Sequence, residues 1–266
     1  MVIPIHDENP TRTRPVVTWV FLVVNVVAFL IGPVAAAGLS ASGPDEVCGQ
    51  DAYFREYGAI PDELLHNAQL DRTTLPRGTQ TPEGISCAAA RPGYEKEPAL
   101  SVLTAMFLHG GWLHLAGNML FLWVFGNNVE DRFGHVRFAL FYLACGLAAT
   151  YAFALLNQDS TQPLVGASGA IAGVLGAYLL LFPRAKITSL VPFLLFIPLR
   201  LPAWLVLGTW FVLQWAYAEG AGVSQGTGVA YSAHVAGFLV GLAAVGLGMG
   251  RRRSPPPRPV PPPWPY

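Results

Sequence analysis

A serine and a histidine lie near the starts of two separate apolar segments of this chain. Ser168 stands in the tetrapeptide Gly166-Ala167-Ser168-Gly169, and His234 lies just inside a later apolar segment. Polar side chains inside a bilayer are costly and usually functional. A hydroxyl and an imidazole at similar depths can act as a nucleophile and its general base. The pairing therefore predicts hydrolysis inside a membrane.

The composition indicates a polytopic membrane protein. Of the 266 residues, 53% are hydrophobic and 12% are charged, and the mean hydropathy is +0.43. Several apolar stretches approach the roughly 20 residues that a helix needs to cross a bilayer. The formal net charge is zero and no basic stripe lies away from the predicted spans, so we expect no nucleic-acid partner.

Six transmembrane helices are predicted from the apolar runs and from the charged or Pro- and Gly-rich breaks between them. Their ranges are about 16–33, 112–128, 136–155, 166–182, 202–218 and 231–249. The expected fold is an all-α membrane bundle in which a long first extracytoplasmic loop, 34–100, joins the first two spans. The expected division of the chain is an N-terminal segment 1–15, a membrane domain 16–250 and a Pro-rich, extended tail 251–266.

Two segments between the spans need separate interpretation. As one helix, residues 187–218 would run roughly 48 Å, against a hydrocarbon core of about 30 Å. The helix must therefore break where the prolines lie, at Pro192, Pro198 and Pro202. We expect Leu190–Leu199 to be an interfacial or re-entrant piece. Glu97–Leu108 is expected to be an amphipathic or partly embedded segment before the Gly110-Gly111 turn.

The distribution of Lys and Arg predicts that both termini are cytoplasmic. Loop 34–100 holds five basic residues among ten acidic ones. The segments assigned to the inside hold the others: Arg12, Arg14, Arg132, Arg137, Arg184, Lys186, Arg200, Arg251, Arg252, Arg253 and Arg258. A cleaved signal peptide ending near Ala35-Ala36-Ala37 is the alternative. That alternative would leave five spans and put the C-terminal arginines in conflict with the other loops.

This topology brings further polar residues to the depth of the serine and the histidine. The second, fourth and sixth spans all run from outside to inside, so their first turns lie at one depth. His114 and Asn118 lie in the first two turns of the second span, and their i, i+4 spacing puts both on one helix face. Asn118 could instead form a hydrogen bond that holds two helices together. A lone serine in a membrane helix usually donates to a carbonyl of its own helix.

Small residues recur at four-residue spacing in the fourth and sixth spans. Such faces let two helix backbones approach closely enough for a hydrogen bond between Ser168 and His234. Either stripe alone is typical of ordinary membrane-helix packing, and only its conjunction with these two residues favours a functional interpretation. The stripes are Gly169, Gly173 and Ala177, and Ala233, Gly237 and Gly241.

Three motifs of this chain resemble the active-site signatures of the rhomboid intramembrane serine proteases. They are the block from His109 to Asn118 (HGGWLHLAGN), the run GASGAIAG at 166–173, and the block from Ala233 to Gly241 (AHVAGFLVG). Their order and their positions on the spans match that family. The resemblance covers the chain from about Asn9 to Gly248.

The resemblance implies a serine–histidine dyad. Ser168 would be the nucleophile and His234 the general base and later the general acid. The Ser168 N–H and the side chains of His114 and Asn118 would stabilise the oxyanion. Gly166 would let the backbone approach the substrate, with Gly169 and Gly237 supporting the helix contact. His109 fits the family's additional, supporting histidine.

Some details stay open at the level of sequence. Some members of the family have a tyrosine four residues after the nucleophile that stacks on the histidine. Here that residue is Ala172, and alanine at this place also occurs in the family, so the stacking partner of His234 is unassigned. His109 and His114 have no third ligand at a consistent depth, so no metal is expected, and no cofactor is expected either. Cys48 and Cys87 permit but do not establish a disulfide.

The predicted function is endoproteolysis of single-span membrane proteins near the outer face of a cell membrane. The substrate helix would unwind at its outer end to reach Ser168, and loop 219–230 could act as a mobile cap that admits water. The expected partners are transmembrane substrates and the lipid bilayer. The alternatives are a non-catalytic rhomboid-fold protein that binds transmembrane clients and, more remotely, a transporter or channel.

Overall fold

The computed structural model describes residues 2–36, 38, 43–82, 84–192, 195–220 and 230–250. Within these ranges it contains ten helices: α1 Val16–Ile31, α2 Pro33–Ala36, α3 Pro44–Tyr57, α4 Pro61–His66, α5 Pro98–Ala105, α6 Trp112–Phe133, α7 His135–Leu156, α8 Ser168–Leu181, α9 Ala203–Ala218 and α10 Tyr231–Gly246. It also contains five strands: β1 Ile3–Asp7, β2 Thr73–Thr81, β3 Gly84–Ala90, β4 Lys186–Val191 and β5 Ile197–Pro202.

Helices occupy all six predicted positions, as α1, α6, α7, α8, α9 and α10. The largest difference is at α6, which continues to Phe133 although the predicted span ends at 128. Judged by length and composition, one described helix, α7, is able to cross a membrane. Four further apolar helices, α1, α8, α9 and α10, have between 10 and 17 residues. The protein is mainly helical, as an all-α membrane fold requires.

Helix α8 is the centre of the bundle. Its residues from Ala170 to Tyr178 are all buried, and it packs along α10 more extensively than along any other helix. A helix that is apolar on all sides belongs in the interior of a bundle, whereas α1 buries one narrow face and leaves the rest exposed. The largest fully buried side chains are Tyr142, Tyr178, Phe125, Phe138 and Phe238.

The segment between α8 and α9 is a β-hairpin. Strands β4 and β5 pair antiparallel, with Ile187 opposite Leu201, and β1 adds to the other edge of β4, with Ile3 opposite Leu190. The predicted helix break is present, since α9 begins at Ala203. The sequence analysis did not anticipate strands here or at the N-terminus, so the purely helical description is incomplete.

The predicted outside loop is folded rather than extended. Strands β2 and β3 form a hairpin that packs on α3, and a disulfide joins Cys48 of α3 to Cys87 of β3. Helix α5 lies within the segment predicted to be amphipathic, and it buries Val102 and Ala105 while Leu100 is exposed. The possible disulfide left open by the sequence is thus formed.

A buried ion pair joins the residues just before α5 to α4. The Lys96 Nζ lies 2.7 Å from the Glu63 Oε2 and donates to the Arg55 carbonyl at 2.7 Å. Burial lowers the pKa of Lys96, while the adjacent Glu63 carboxylate opposes that shift. The pair contributes to stability only because each charge has its partner, since an unpaired buried charge costs several kcal/mol.

At the opposite end of the bundle, acidic side chains of α6 hold the start of α1. Glu130 is fully buried and accepts hydrogen bonds from the Val17 N–H, the Thr18 N–H and the Thr18 hydroxyl at 2.7–2.9 Å. The first amides of a helix have no acceptor within the helix, so Glu130 acts as a cap supplied by another element. Asp7 accepts from Asn128 at 2.6 Å, and burial raises its pKa.

Candidate active site

Ser168 and His234 are joined by a hydrogen bond. The Ser168 Oγ lies 2.7 Å from the His234 Nε2, and the bond is partly buried. Ser168 is the first residue of α8 and His234 is the fourth residue of α10, so the starts of the two helices meet. The predicted approach of the hydroxyl to the imidazole is therefore present.

Glycines in α8 and α10 bring the two backbones together. A Cβ built on Gly237 would overlap the Gly169 carbonyl oxygen, and a Cβ on Gly241 would overlap the Gly173 carbonyl oxygen. Gly169 also faces α7, where an added Cβ would lie 2.7 Å from the Ala149 Cβ. Since the contacts at Gly237 and Gly241 are with backbone atoms, no side-chain rearrangement could relieve them. The predicted small-residue stripes form the interface that places Ser168 beside His234.

Gly166 makes room for His114 beside the serine. Its φ of 127° favours glycine, and a Cβ at this position would lie 2.9 Å from the Cε1 and Nε2 of His114 and 3.7 Å from the Ser168 Oγ. The Gly166 N–H donates to the Ala105 carbonyl at 2.9 Å, which fixes the backbone just before the serine. The conformation of Gly166 thus lets the His114 imidazole lie within reach of Ser168.

Asn118 and His109 extend this polar layer. Asn118 is 8% exposed, and its buried Nδ2 has no hydrogen-bond partner among the described residues. His109 is buried and packs edge-on against His114, with ring centroids 5.1 Å apart. A buried donor without an acceptor costs about 1–3 kcal/mol, and such groups are rare in folded proteins. The Asn118 Nδ2 is therefore a donor that no described residue uses.

Three residues around His234 were missed by the sequence analysis. The Gln214 Oε1 of α9 lies 2.7 Å from the His234 Nδ1. The Trp210 ring lies 6.1 Å from the His234 ring, and the Tyr231 ring lies 6.3 Å away at right angles. The sequence has alanine at position 172, where a tyrosine would stack on the histidine. In the structure the aromatic neighbours of His234 are Trp210 and Tyr231. The signal for Gln214 was its polarity within an otherwise apolar span.

The Ser168 N–H is among the first amides of α8, which lack an acceptor within the helix. It lies at the N-terminus of the helix, the end that favours negative charge. No group of three His, Cys, Asp or Glu side chains that could hold a metal occurs in the described ranges. Most of the predicted cap, 221–229, and the Pro-rich tail lie outside the described residues.

The chain matches the model of a known family over much of its length. The model of the Rhomboid domain matches residues 96–251, which include His109, His114, Asn118, Ser168 and His234. This range is more than half of the chain and contains α5 to α10. Segments α1 to α4 and both hairpin strands β2 and β3 precede it.

Individual relatives align over shorter ranges. Rhomboid protein 1, mitochondrial, from Saccharomyces cerevisiae is 33% identical over 150 residues, which are 54% of this chain and 40% of the yeast protein. Rhomboid protease GluP from Bacillus subtilis is 47% identical over 78 residues, 29% of this chain and 15% of the relative. RHOMBOID-like protein 6, mitochondrial, from Arabidopsis thaliana is 40% identical over 106 residues, 38% of this chain and 34% of the relative. The chain thus aligns with less than half of each of these relatives.

Proposed function

The chain belongs to the rhomboid family, and from this premise we propose that it is a serine endopeptidase that cleaves single-span membrane proteins within the bilayer. The observation that carries the proposal is the 2.7 Å hydrogen bond between the Ser168 Oγ and the His234 Nε2. A nucleophile within hydrogen-bond reach of a base is the signature of an activated hydroxyl. One relative is named a rhomboid protease, which supports the same reaction class.

The reaction uses the dyad in two stages. The Ser168 Oγ attacks the carbonyl carbon of the scissile peptide bond while its proton passes to the His234 Nε2. The imidazolium then gives this proton to the leaving amine, the C–N bond breaks, and an ester to Ser168 remains. Water attacks the ester, His234 takes a proton from that water, and the proton returns to the Ser168 Oγ as the acid product leaves. Two protein groups thus complete a full hydrolytic cycle.

The oxyanion of the tetrahedral intermediate requires donors that are not already used. The Ser168 N–H, the unpaired Asn118 Nδ2 and the His114 imidazole meet this requirement in our proposal. Each such donor is worth about 2.7–4 kcal/mol of transition-state stabilisation in hydrolases of this chemistry. His109 packs on His114 and would hold that ring in place.

The proposed topology has six spans, α1 and α6 to α10, with both termini cytoplasmic. Rhomboid proteins are membrane-embedded, and the two arginines of segment 1–15 and the four arginines of segment 251–266 favour this orientation in a cell membrane. The starts of α6, α8 and α10 would then lie near the outer face. A substrate helix would unwind there to present an extended backbone to Ser168, and water would enter from the same side.

Cleavage of a single-span test substrate in proteoliposomes tests the proposal. We expect Ser168→Ala and His234→Ala each to abolish cleavage without changing expression or the thermal unfolding midpoint in detergent. A fluorophosphonate probe should label the unaltered protein at Ser168 and should label neither variant. Absence of both labelling and cleavage in the unaltered protein would leave a rhomboid-fold protein that binds transmembrane clients without cutting them.

A further inference from the structure

Gln214 is a buried amide within an otherwise apolar helix. Its side chain is 6% exposed, and it lies in the last turns of α9, which carries few other polar residues. Thr209 of the same helix returns its hydroxyl to the Leu205 carbonyl at 2.6 Å. Gln214 instead reaches across to α10, where its Oε1 lies 2.7 Å from the His234 Nδ1. Burial of the amide costs free energy of desolvation, and the hydrogen bond to His234 offsets that cost.

We propose that Gln214 is a positioning residue that fixes the tautomer of His234. A neutral imidazole carries one N–H and one lone pair. Because an amide oxygen can only accept, the contact requires the proton on the Nδ1. The Nε2 lone pair then faces the Ser168 Oγ at 2.7 Å and can take the hydroxyl proton. This inference rests on the proposed proteolytic function. It adds Gln214, an amide rather than a carboxylate or an aromatic ring, as a third group beside Ser168 and His234.

The opposite tautomer would be unproductive. With the proton on the Nε2, the imidazole would donate to Ser168 and could not act as its base. After proton transfer, the Gln214 oxygen also accepts from the imidazolium and stabilises its charge through a dipole rather than through a full negative charge. The rings of Trp210 and Tyr231 lie on other sides of the imidazole and limit its rotation. Gln214 therefore sets both the proton position and the ring orientation.

Two substitutions of equal length separate this role from simple packing. Gln214→Glu keeps an acceptor at the same distance, whereas Gln214→Met keeps the volume and removes the acceptor. Gln158→Met is the matched control, because Gln158 is exposed after α7 and its amide donates to the Leu155 carbonyl at 3.2 Å. For each protein we would measure kcat and KM for a single-span substrate in proteoliposomes, the rate of fluorophosphonate labelling, and the unfolding midpoint.

We expect Gln214→Met to lower kcat and the labelling rate by about 10-fold to about 10⁴-fold, the upper value being the loss seen when a serine protease histidine takes the wrong tautomer. KM should stay within about twofold, since substrate binding does not use the Nδ1. Gln214→Glu should lose clearly less activity than Gln214→Met, and Gln158→Met should match the unaltered protein. A merely structural role would not make Gln214→Met lower kcat without changing KM while Gln214→Glu keeps more of its activity.

The outcomes that overturn the inference differ from those that overturn the proposed function. Unaltered kcat in Gln214→Met would overturn the positioning role while leaving proteolysis intact. Equal losses in the Met and Glu variants, or a loss that follows the unfolding midpoint, would overturn it as well. If the unaltered protein neither cleaves nor reacts with the probe, the proposed function and the inference both fail.

Discussion

Where α1 begins, Glu130 of α6 accepts three hydrogen bonds from Val17 and Thr18, and it also contacts the His135 Nδ1 at 2.6 Å. Asn128 donates to Asp7 while accepting from Asn9. Where α6 itself begins, Asn118 is buried with an amide nitrogen that has no partner among the described residues. Both ends of the helix thus bury polar side chains, yet only one end uses them fully. Satisfied groups stabilise a fold, whereas an unsatisfied donor costs stability unless a ligand or a transition state supplies the acceptor.

The largest expected effect is at the satisfied end. Glu130→Leu removes the acceptor of three donors at the start of α1, and we expect a loss of about 3–5 kcal/mol in the free energy of unfolding, because each buried donor left unpaired costs about 1–3 kcal/mol. Unfolding in mixed detergent micelles would measure this loss. The protein that remains folded should keep its kcat, and a lowered kcat with unaltered stability would contradict the comparison.

A matched pair of substitutions within α6 tests the other end. Asn118→Leu should lower kcat by about 10²-fold to 10³-fold, equivalent to about 2.7–4 kcal/mol, if its Nδ2 binds the oxyanion. The unfolding free energy should not fall, because the substitution removes an unpaired buried donor. Asn128→Leu, at the satisfied end, should reverse this pattern, with lower stability and unaltered kcat. Cleavage assays and unfolding curves on both variants would measure these changes. Equal changes in kcat and in unfolding free energy for the two variants would contradict the expected difference between the two ends of α6.

The disulfide between Cys48 and Cys87 ties the segment before α5 together at the end where α6 begins. It closes a loop with a sequence separation of 39 residues, so replacing both cysteines with serine should cost about 2–4 kcal/mol. Thermal unfolding with and without a reductant would measure the effect. The reductant should lower the midpoint of the unaltered protein and should not change that of the double variant, in which only the buried Cys145 remains. Equal sensitivity in both proteins would contradict the assignment.

Two glycine-to-alanine substitutions give the smallest expected effects on stability. At Gly237 the added methyl group would overlap the Gly169 carbonyl oxygen, so we expect a cost of about 1–3 kcal/mol. Separation of α8 and α10 by about 1 Å should also lower the cleavage rate about 100-fold. At Gly208 of α9 no atom lies within 4 Å of an added Cβ, and stability should change by less than about 1 kcal/mol. Comparable activities for the two variants would show that the close helix contact does not position the dyad.

The sequence predicted the helices and the approach of Ser168 to His234, because apolar runs and small-residue stripes are local patterns. Apolar runs locate α1 and α6 to α10, and the stripes around Gly169 and Gly237 identify the close contact. Helix α6 was predicted too short because its last turn contains Glu130, Asp131 and Arg132, which lower the hydropathy. Glu130 and Asp131 hold the start of α1, and Arg132 donates to the Gly250 carbonyl.

The missed features depend on contacts distant in sequence. Gln214 was overlooked because depth was counted only from the starts of even-numbered spans, whereas α9 runs the other way and brings its end to the same layer. The strand β1 pairs with β4 some 180 residues later, which no local pattern reveals. The disulfide required the packing of α3 on the β2–β3 hairpin, since two cysteines in a long loop do not identify each other.

The residues Ala59 and Leu164 pair as an isolated β-bridge, with two hydrogen bonds of 3.1 and 2.7 Å. The bridge connects the disulfide-bonded segment to the residues that directly precede Ser168. A disulfide persists only on the oxidising side of a membrane. The residues that precede Ser168 should therefore lie on the oxidising side. In intact cells we expect Cys48 and Cys87 to react with a thiol reagent only after reduction of the disulfide.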